Sequence, residues 1–273
     1  MGALADDFHA LHRPGDPLRL LNAWDGGSAR VLESAGAKAI GTTSAGAAFS
    51  LGLPDGQTIT RQQLIANIAM IASRVSVPVT ADIESGFGAR AGDVADTVRS
   101  VITAGAVGIN LEDVLAGGRN ELMPLEDAAA RVAAARDSAD AEGVRLFVNA
   151  RTDVFLRGVG DESTRLERTL ERLAAYTEAG ADGVFVPGVQ DGRTLALLIQ
   201  GADLPFNALA GPAGLTLEDY SVLGAARVST GSVPSRAALG LAKDLALEFL
   251  NEGTLNAAAH GIPYADLNEL LSD

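Results

Sequence analysis

The chain has 273 residues, of which 47% are hydrophobic and only 4% aromatic, enough to bury one large core by packing helices closely on strands. Its net charge of −14 at pH 7 argues against nucleic acid, which calls for a basic surface, although a bound metal and a few arginines can reverse the sign locally for an anionic substrate. The absence of cysteine excludes disulfides, thiolate metal sites and thiol nucleophiles.

The opening segment MGALADDFHALHRPGD carries acids and no apolar centre, so no secretory signal is expected. No apolar run approaches the roughly 18 residues of a membrane span. The expectation is a cytoplasmic protein with no membrane partner. Short apolar runs then alternate with longer amphipathic ones. Arg19–Ala23 precedes a helical pattern near 28–36, and Lys38–Gly41 precedes one near 61–74. Val77–Thr80 leads to 91–104, Val107–Asn110 to 126–141, and Leu146–Asn149 to 162–179. Gly183–Val186 is followed by 192–200, Phe206–Ala208 by 216–223, and Arg227–Ser229 by 233–251. The strands are apolar throughout, as when both faces are covered. Gly36, Gly105 and Gly180 each punctuate a helix end just before the next strand.

Eight such units in 1–253 predict an α/β fold, a single closed (β/α)₈ barrel of the TIM type, with an extra C-terminal helix in 254–273. An open doubly wound sheet would call for a GxGxxG turn after the first strand, and Ala23-Trp24-Asp25-Gly26-Gly27 stands there instead. Tyr264–Leu271 is helical in pattern and too apolar to stay exposed, so it is expected to pack on the barrel or on another subunit.

In a barrel the loops after the strands form the active-site face. After the third strand come Asp82 and Glu84, two residues apart, which in extended chain point the same way. After the fourth come Glu112 and Asp113, and after the second comes Asp55 in a Pro-Asp-Gly turn. Acids converging on one mouth repel one another unless a cation or shared protons compensate. Hard oxygen ligands without nearby His or Cys suit Mg²⁺ or Mn²⁺ rather than Zn²⁺. The blander alternatives are helix capping for Asp82 and Glu84, bracing of the loop for Asp113, and a simple turn for Asp55. Arg151, after the fifth strand, either grips a substrate carboxylate bidentately or pairs with Asp153 or Glu112. Thr42–Gly46 offers hydroxyls and backbone N–H groups to an anion. Trp24 either walls the pocket or only packs. His9, His12 and His260 lie in terminal segments, which argues against a Ser-His-Asp site or a His-rich metal site.

Asn22–Asp25, Thr42–Gly46, Leu51–Asp55, Asp82–Gly88, Leu111–Asp113 and Asn149–Asp153, in this order and spacing, resemble the isocitrate lyase / phosphoenolpyruvate mutase superfamily over about 18–250. The resemblance implies that Asp82, Glu84 and Glu112 hold Mg²⁺, directly or through water. It places Asp55 beside the reacting centre. It implies that Arg151 and the backbone amides of Thr43, Ser44 and Ala45 hold the substrate carboxylate. It also implies a tetramer, a dimer of dimers that exchanges C-terminal helices. The shared chemistry is an enolate stabilised by a metal chelated through a keto and a carboxylate oxygen.

The loop after the fourth strand departs from that pattern. Isocitrate and methylisocitrate lyases carry a Lys-Lys/Arg-Cys-Gly-His run there, whose cysteine serves as acid, whereas this chain reads Val114 to Leu122 without one. The mutases carry Lys-Thr-Asn; here Gly118-Arg119-Asn120 keeps only the Asn, a substrate-binding candidate, and Pro187 stands near the place of a mutase histidine. Arg119 and Glu121 supply a charge or a proton, or simply form a solvated loop. The reading is a Mg²⁺-dependent lyase or decarboxylase that breaks a C–C bond next to a carboxylate in a small 2-keto or 2-hydroxy acid. It would act like an oxaloacetate decarboxylase or a methylisocitrate or dimethylmalate lyase. The alternatives are P–C chemistry, as in a phosphonomutase or phosphonopyruvate hydrolase, and a non-catalytic barrel that binds a small acid.

Overall fold

The computed structural model describes residues 1–115 and 121–272. Asn120 and Arg119, singled out above, lie outside the described residues. Eight parallel strands close into one barrel: β1 (Leu18–Ala23), β2 (Ile40–Thr42), β3 (Val79–Asp82), β4 (Gly108–Glu112), β5 (Phe147–Arg151), β6 (Gly183–Phe185), β7 (Phe206–Leu209) and β8 (Arg227–Ser229). Each pairs with its successor, and Leu18 opposite Arg227 seals the ring. The strand reading holds, with one informative shift. Strands β3, β4 and β5 each run two residues further than their apolar stretches, so Asp82, Glu112 and Arg151 are the last residues of strands, not loop residues. Ladder hydrogen bonds thus hold their backbones rigidly at the mouth.

The covering helices are α2 (Gly26–Ser34), α4 (Arg61–Ala72), α5 (Ala91–Thr103), α6 (Leu125–Ala141), α7 (Arg165–Glu178), α8 (Gly192–Gln200), α9 (Leu217–Val222) and α10 (Val233–Glu252). Two further helices were not anticipated, α1 (Gly2–Ala10) and the short α3 (Ser44–Ser50). Gly36, Gly105 and Gly180 take φ of +97°, +96° and +91°, the left-handed conformation that ends a helix cheaply only for glycine. The core between strands and helices is small and branched, with Ile40, Ile68, Ile109, Val98 and Val148 fully buried.

Helix α1 closes the end of the barrel where the strands begin. Phe8 is fully buried against Leu18, Leu20, Val107 and Phe147, and its ring meets that of Phe147 edge-on at 5.5 Å. His12 stacks on Phe147 at 3.9 Å and its Nδ1–H donates to the Phe8 carbonyl at 2.8 Å. At the other extreme of the chain, α11 (Tyr264–Ser272) lies against α2, where Arg30 donates to the Leu270 carbonyl at 2.9 Å. The long α10 behaves differently: Ser235 is its only buried residue, and Leu239, Leu247, Phe249 and Leu250 stand about half or more exposed.

Candidate active site

The strand ends open into a cavity of about 340 Å³. Asp55, Asp82, Glu84, Glu112, Arg151 and Thr43–Ala45 all line it. Trp24 does not: it packs behind α3, where a Cβ on Gly46 would come 2.9 Å from the Trp24 Cβ, and its carbonyl accepts from Asn67.

Asp82 is held from two sides. Its backbone N–H donates to Thr42 Oγ1 at 2.9 Å, and its Oδ2 accepts from the Ser44 amide at 3.1 Å and the Ser44 hydroxyl at 2.8 Å. Those donors exist because Thr43 caps α3, its Oγ1 accepting from Gly46 N–H, which turns the first amides of the helix toward the mouth. The other oxygen, Oδ1, is buried without a hydrogen-bond partner.

Glu84 converges on the same cavity by a different route from the pleat alternation expected of it. β3 ends at Asp82, and Glu84 adopts φ +50°, a left-handed turn that costs a non-glycine residue on the order of 1 kcal/mol. The surrounding loop is over-determined: Arg131 donates to the Ser85 and Gly88 carbonyls at 2.8 and 2.7 Å, and Thr97 Oγ1 donates to Gly86 O. Burial, then the charges of Asp82, Glu112 and Asp55, push the Glu84 carboxyl up to about 8. Burial also raises Glu112 to about 8, against the pull of Arg151, with Asp153 and Asp82 adding to the rise. Asp55, exposed as a residue, has its carboxyl raised by partial burial at the rim and then by Asp82.

Arg151 lines the cavity and is paired there with two acids. It reaches Glu112 through Nη1 at 3.0 Å and Asp153 through Nε at 2.6 Å and Nη2 at 3.0 Å, so both alternative pairings occur together. Burial disfavours its cation, but Asp153 and Glu112 outweigh that and hold it charged. Asp113 turns out to be a brace. Its Oδ1 accepts from Asp153 N–H at 3.0 Å, and its Oδ2 accepts from Arg172 at 3.0 Å and Tyr176 at 2.7 Å, all buried.

The donor set suits a hard cation in chemistry: oxygen ligands, an orphaned buried Asp82 Oδ1, and neighbours whose carboxyls hold protons chiefly because burial disfavours their charges, with the other acids adding repulsion. Among the described residues no three acids are yet drawn together as a closed ligand set, since Glu112 leans on Arg151. A cation would compete with Arg151 and with those protons for the same oxygens.

Among the cavity residues that the sequence did not single out are three arginines, of which Arg157 follows β5. Arg236 stands at the rim near the start of α10, and Arg227 reaches the cavity from the start of β8. A signal for Arg227 was present: a charge at an inward position, two residues before Ser229, in a strand otherwise expected to be apolar.

A family model described as phosphoenolpyruvate phosphomutase matches residues 8–250. An uncharacterized protein of Mycobacterium tuberculosis is 40% identical over 97% of this chain and 96% of its own length. The 2-methylisocitrate lyase of Escherichia coli is 33% identical over 71% of this chain and 68% of that protein. Oxaloacetate decarboxylase 2 of Pseudomonas putida is 32% identical over 67% and 60%. Among solved structures, a Burkholderia cenocepacia protein superposes with a TM-score of 0.92 at 37% identity, covering 100% of this chain and 96% of the other. A phosphonopyruvate hydrolase in complex with oxalate and Mg²⁺ superposes at 0.86 with 25% identity, covering 99% and 95%. No described helix is long and apolar enough to cross a membrane.

Proposed function

Because this chain belongs to the phosphoenolpyruvate phosphomutase family, we propose that it is a Mg²⁺-dependent enzyme that breaks a C–C bond next to a carboxylate in a small 2-keto or 2-hydroxy diacid. The observation that carries this reading is the half-satisfied Asp82 carboxylate. One oxygen is fixed by Ser44 and the other is buried and unpartnered, beside two acids that keep their protons to about 8. Asp82, Glu84 and Glu112 would hold the metal, which when bound supplies the Lewis acid that spreads enolate charge. Mn²⁺ would fit the same oxygens.

The protein's own groups do the rest. Ser44 and Thr42 orient Asp82 before any ligand arrives, so little reorganisation is needed. Thr43–Ala45 present the first turn of α3 to a carboxylate, and Arg151, kept charged by Asp153, adds a second cationic anchor. Asp55, its proton held more tightly than usual, stands at the rim where a proton must be delivered to or removed from the substrate. Bond cleavage with CO₂ leaving needs only the electron sink and these anchors. The decarboxylase and lyase relatives support that class of reaction. Pro187 lines the cavity and brings no proton donor, which favours C–C over P–C cleavage.

Titration of oxalate by calorimetry, with Mg²⁺ and again with EDTA, tests the reading. Binding that requires Mg²⁺ and disappears in Asp82→Ala supports it, and a pyruvate-release screen of candidate diacids then follows. Oxalate binding that ignores both changes would refute the metal assignment.

The exposed α10 adds a proposal about assembly. A helix that leaves its leucines in solvent gains nothing from its own barrel, and a second copy of this chain is the occupant whose matching helix would cover it. Exchange of these helices, giving a dimer of dimers, completes the eighth helix position around each barrel.

A further inference from the structure

Barrels of this type normally fill their interior with layers of branched apolar side chains. Here one inward tier is polar. Asn149 Nδ2 donates to Asn110 Oδ1 at 2.7 Å, which satisfies that pair. The rest of the tier is unsatisfied: Thr80 Oγ1, both amide atoms of Asn207, and Nε and Nη1 of Arg227 are buried with no hydrogen-bond partner. These residues are only 2%, 1% and 3% exposed, respectively. Asn207 and Arg227 are neighbours in register across β7 and β8, and Thr80 and Arg227 line the floor of the same cavity that holds Asp82.

A buried guanidinium without a partner is an expensive arrangement unless something else supplies the missing charge and acceptors. Arg227 makes no ion pair among the described residues. Burial lowers its pKa to about 9, partly offset by Asp82, so it remains a cation at neutral pH. The charge of Asp82 is its compensation at a distance, and a metal ion on Asp82 would cancel that compensation. The loaded site then has a floor that is cationic, donor-rich and open to the cavity.

We propose that Arg227 and Thr80, with Asn207 beside Arg227 in register, form an anion subsite at the cavity floor that takes the second carboxylate of a diacid substrate. The first end of that substrate lies at Asp82 and Arg151. This rests on the proposed function and sharpens it: the enzyme selects diacids by a charge beneath the metal, within the barrel. Chloride or another small inorganic anion shares the chemistry and fills the floor when no substrate is present.

The test is calorimetry on the full chain with Mg²⁺, comparing wild type, Arg227→Met and Arg227→Lys against two probes. Oxalate spends both carboxylates at the metal end, whereas malate carries its second carboxylate further away. Arg227→Met is expected to weaken malate on the order of a hundredfold, leave oxalate within about threefold, and be partly rescued by Lys. Ligand-free Arg227→Met is also expected to melt higher than wild type, because an unpaired buried charge has gone; a merely structural arginine would give a lower melting point. Equal weakening of both acids, or none for malate, overturns the proposal while Mg²⁺-dependent oxalate binding leaves the proposed function standing. If wild type binds neither acid, the proposed function fails first. Bromide-soaked crystals then decide the floor: an anomalous peak at Arg227, absent in Arg227→Met, supports an anion site there, and no peak overturns it.

Discussion

Glu112 and Arg151 are register partners across β4 and β5, and their side chains form a 3.0 Å ion pair at the barrel mouth. Arg151 also carries Asp153, which is completely buried, so the arginine serves two acids while Glu112 depends on one arginine. The two partners should therefore respond unequally to removal. Arg151→Met strands Asp153 with only Arg157 and should cost about 3–5 kcal/mol in urea unfolding. Glu112→Gln keeps an oxygen that can accept from Arg151 and leaves Asp153 paired with it, and should cost well under half as much. Equal losses would mean that Asp153 is not the main client of Arg151.

Asp113 sits next to Glu112 and is likewise a carboxylic acid, yet its oxygens are consumed by Asp153 N–H, Arg172 and Tyr176. Asp113→Ala should destabilise by about 3 kcal/mol or more and Tyr176→Phe by about 1 kcal/mol. Neither should change Mg²⁺ affinity in the folded protein. A calorimetric Mg²⁺ titration that weakens tenfold in Tyr176→Phe would show that the brace reaches the metal site after all.

The contrast between these two acids marks the limit of what the sequence could convey. Strand order, the barrel and the cluster Asp55, Asp82, Glu84, Glu112 and Arg151 were legible, because apolar runs, glycine stops and acid positions are local patterns. Which of Glu112 and Asp113 faces the cavity depends on where β4 ends, and β4 runs past its apolar stretch. Glu84 reaches the cavity through a left-handed turn fixed by Arg131, a residue 47 positions away that no local pattern connects to it. Arg227 was passed over because its strand was read for its hydrophobic character alone. The helix α1 was missed because its few apolar residues serve to plug the barrel, a purpose visible only when Phe147 and Leu18 are seen beneath it.

Raised carboxyls give the metal site a pH signature of unusual sign. Glu84 and Glu112 move from 4.5 to about 8, so the folded metal-free protein binds more protons than the unfolded chain between those values. Stability should then fall, not rise, as pH climbs through that window. Mg²⁺ must displace these protons, so its apparent affinity should increase with pH and level off above about 8. Calorimetry in two buffers of different ionisation heat should show proton release on Mg²⁺ binding below that plateau. Heats independent of the buffer would contradict it.

His12 governs the acid side. Burial, and then the Arg227 charge, lower it from 6.5 to about 3, and its Nε2 has no partner to receive a proton's hydrogen bond. The unfolded chain takes up this proton first, so stability is present above 6.5 and is lost as pH falls toward 3. His12→Leu, which keeps the stacking volume but cannot titrate, should flatten that limb of the melting-temperature profile. It should sacrifice about 1 kcal/mol at neutral pH for the lost bond to Phe8. An unchanged acid limb would place the sensitivity elsewhere.

The final prediction concerns α10. Leu247, Phe249 and Leu250 are 49%, 56% and 80% exposed, on a helix whose only buried residue is Ser235. If a second copy covers this helix, stability and assembly are one quantity, and the melting temperature must rise with protein concentration. Phe249→Ser combined with Leu250→Asp would place a charge and a polar group in that interface, while costing an isolated barrel almost nothing because both positions already face water. Light scattering coupled to size exclusion should then show the wild type as an oligomer and the double variant as a smaller species. Its melting point should be lower and no longer depend on concentration. A wild type that is monomeric throughout, with a melting point indifferent to concentration, would mean that α10 is left bare, and the exchange of helices would have to be abandoned.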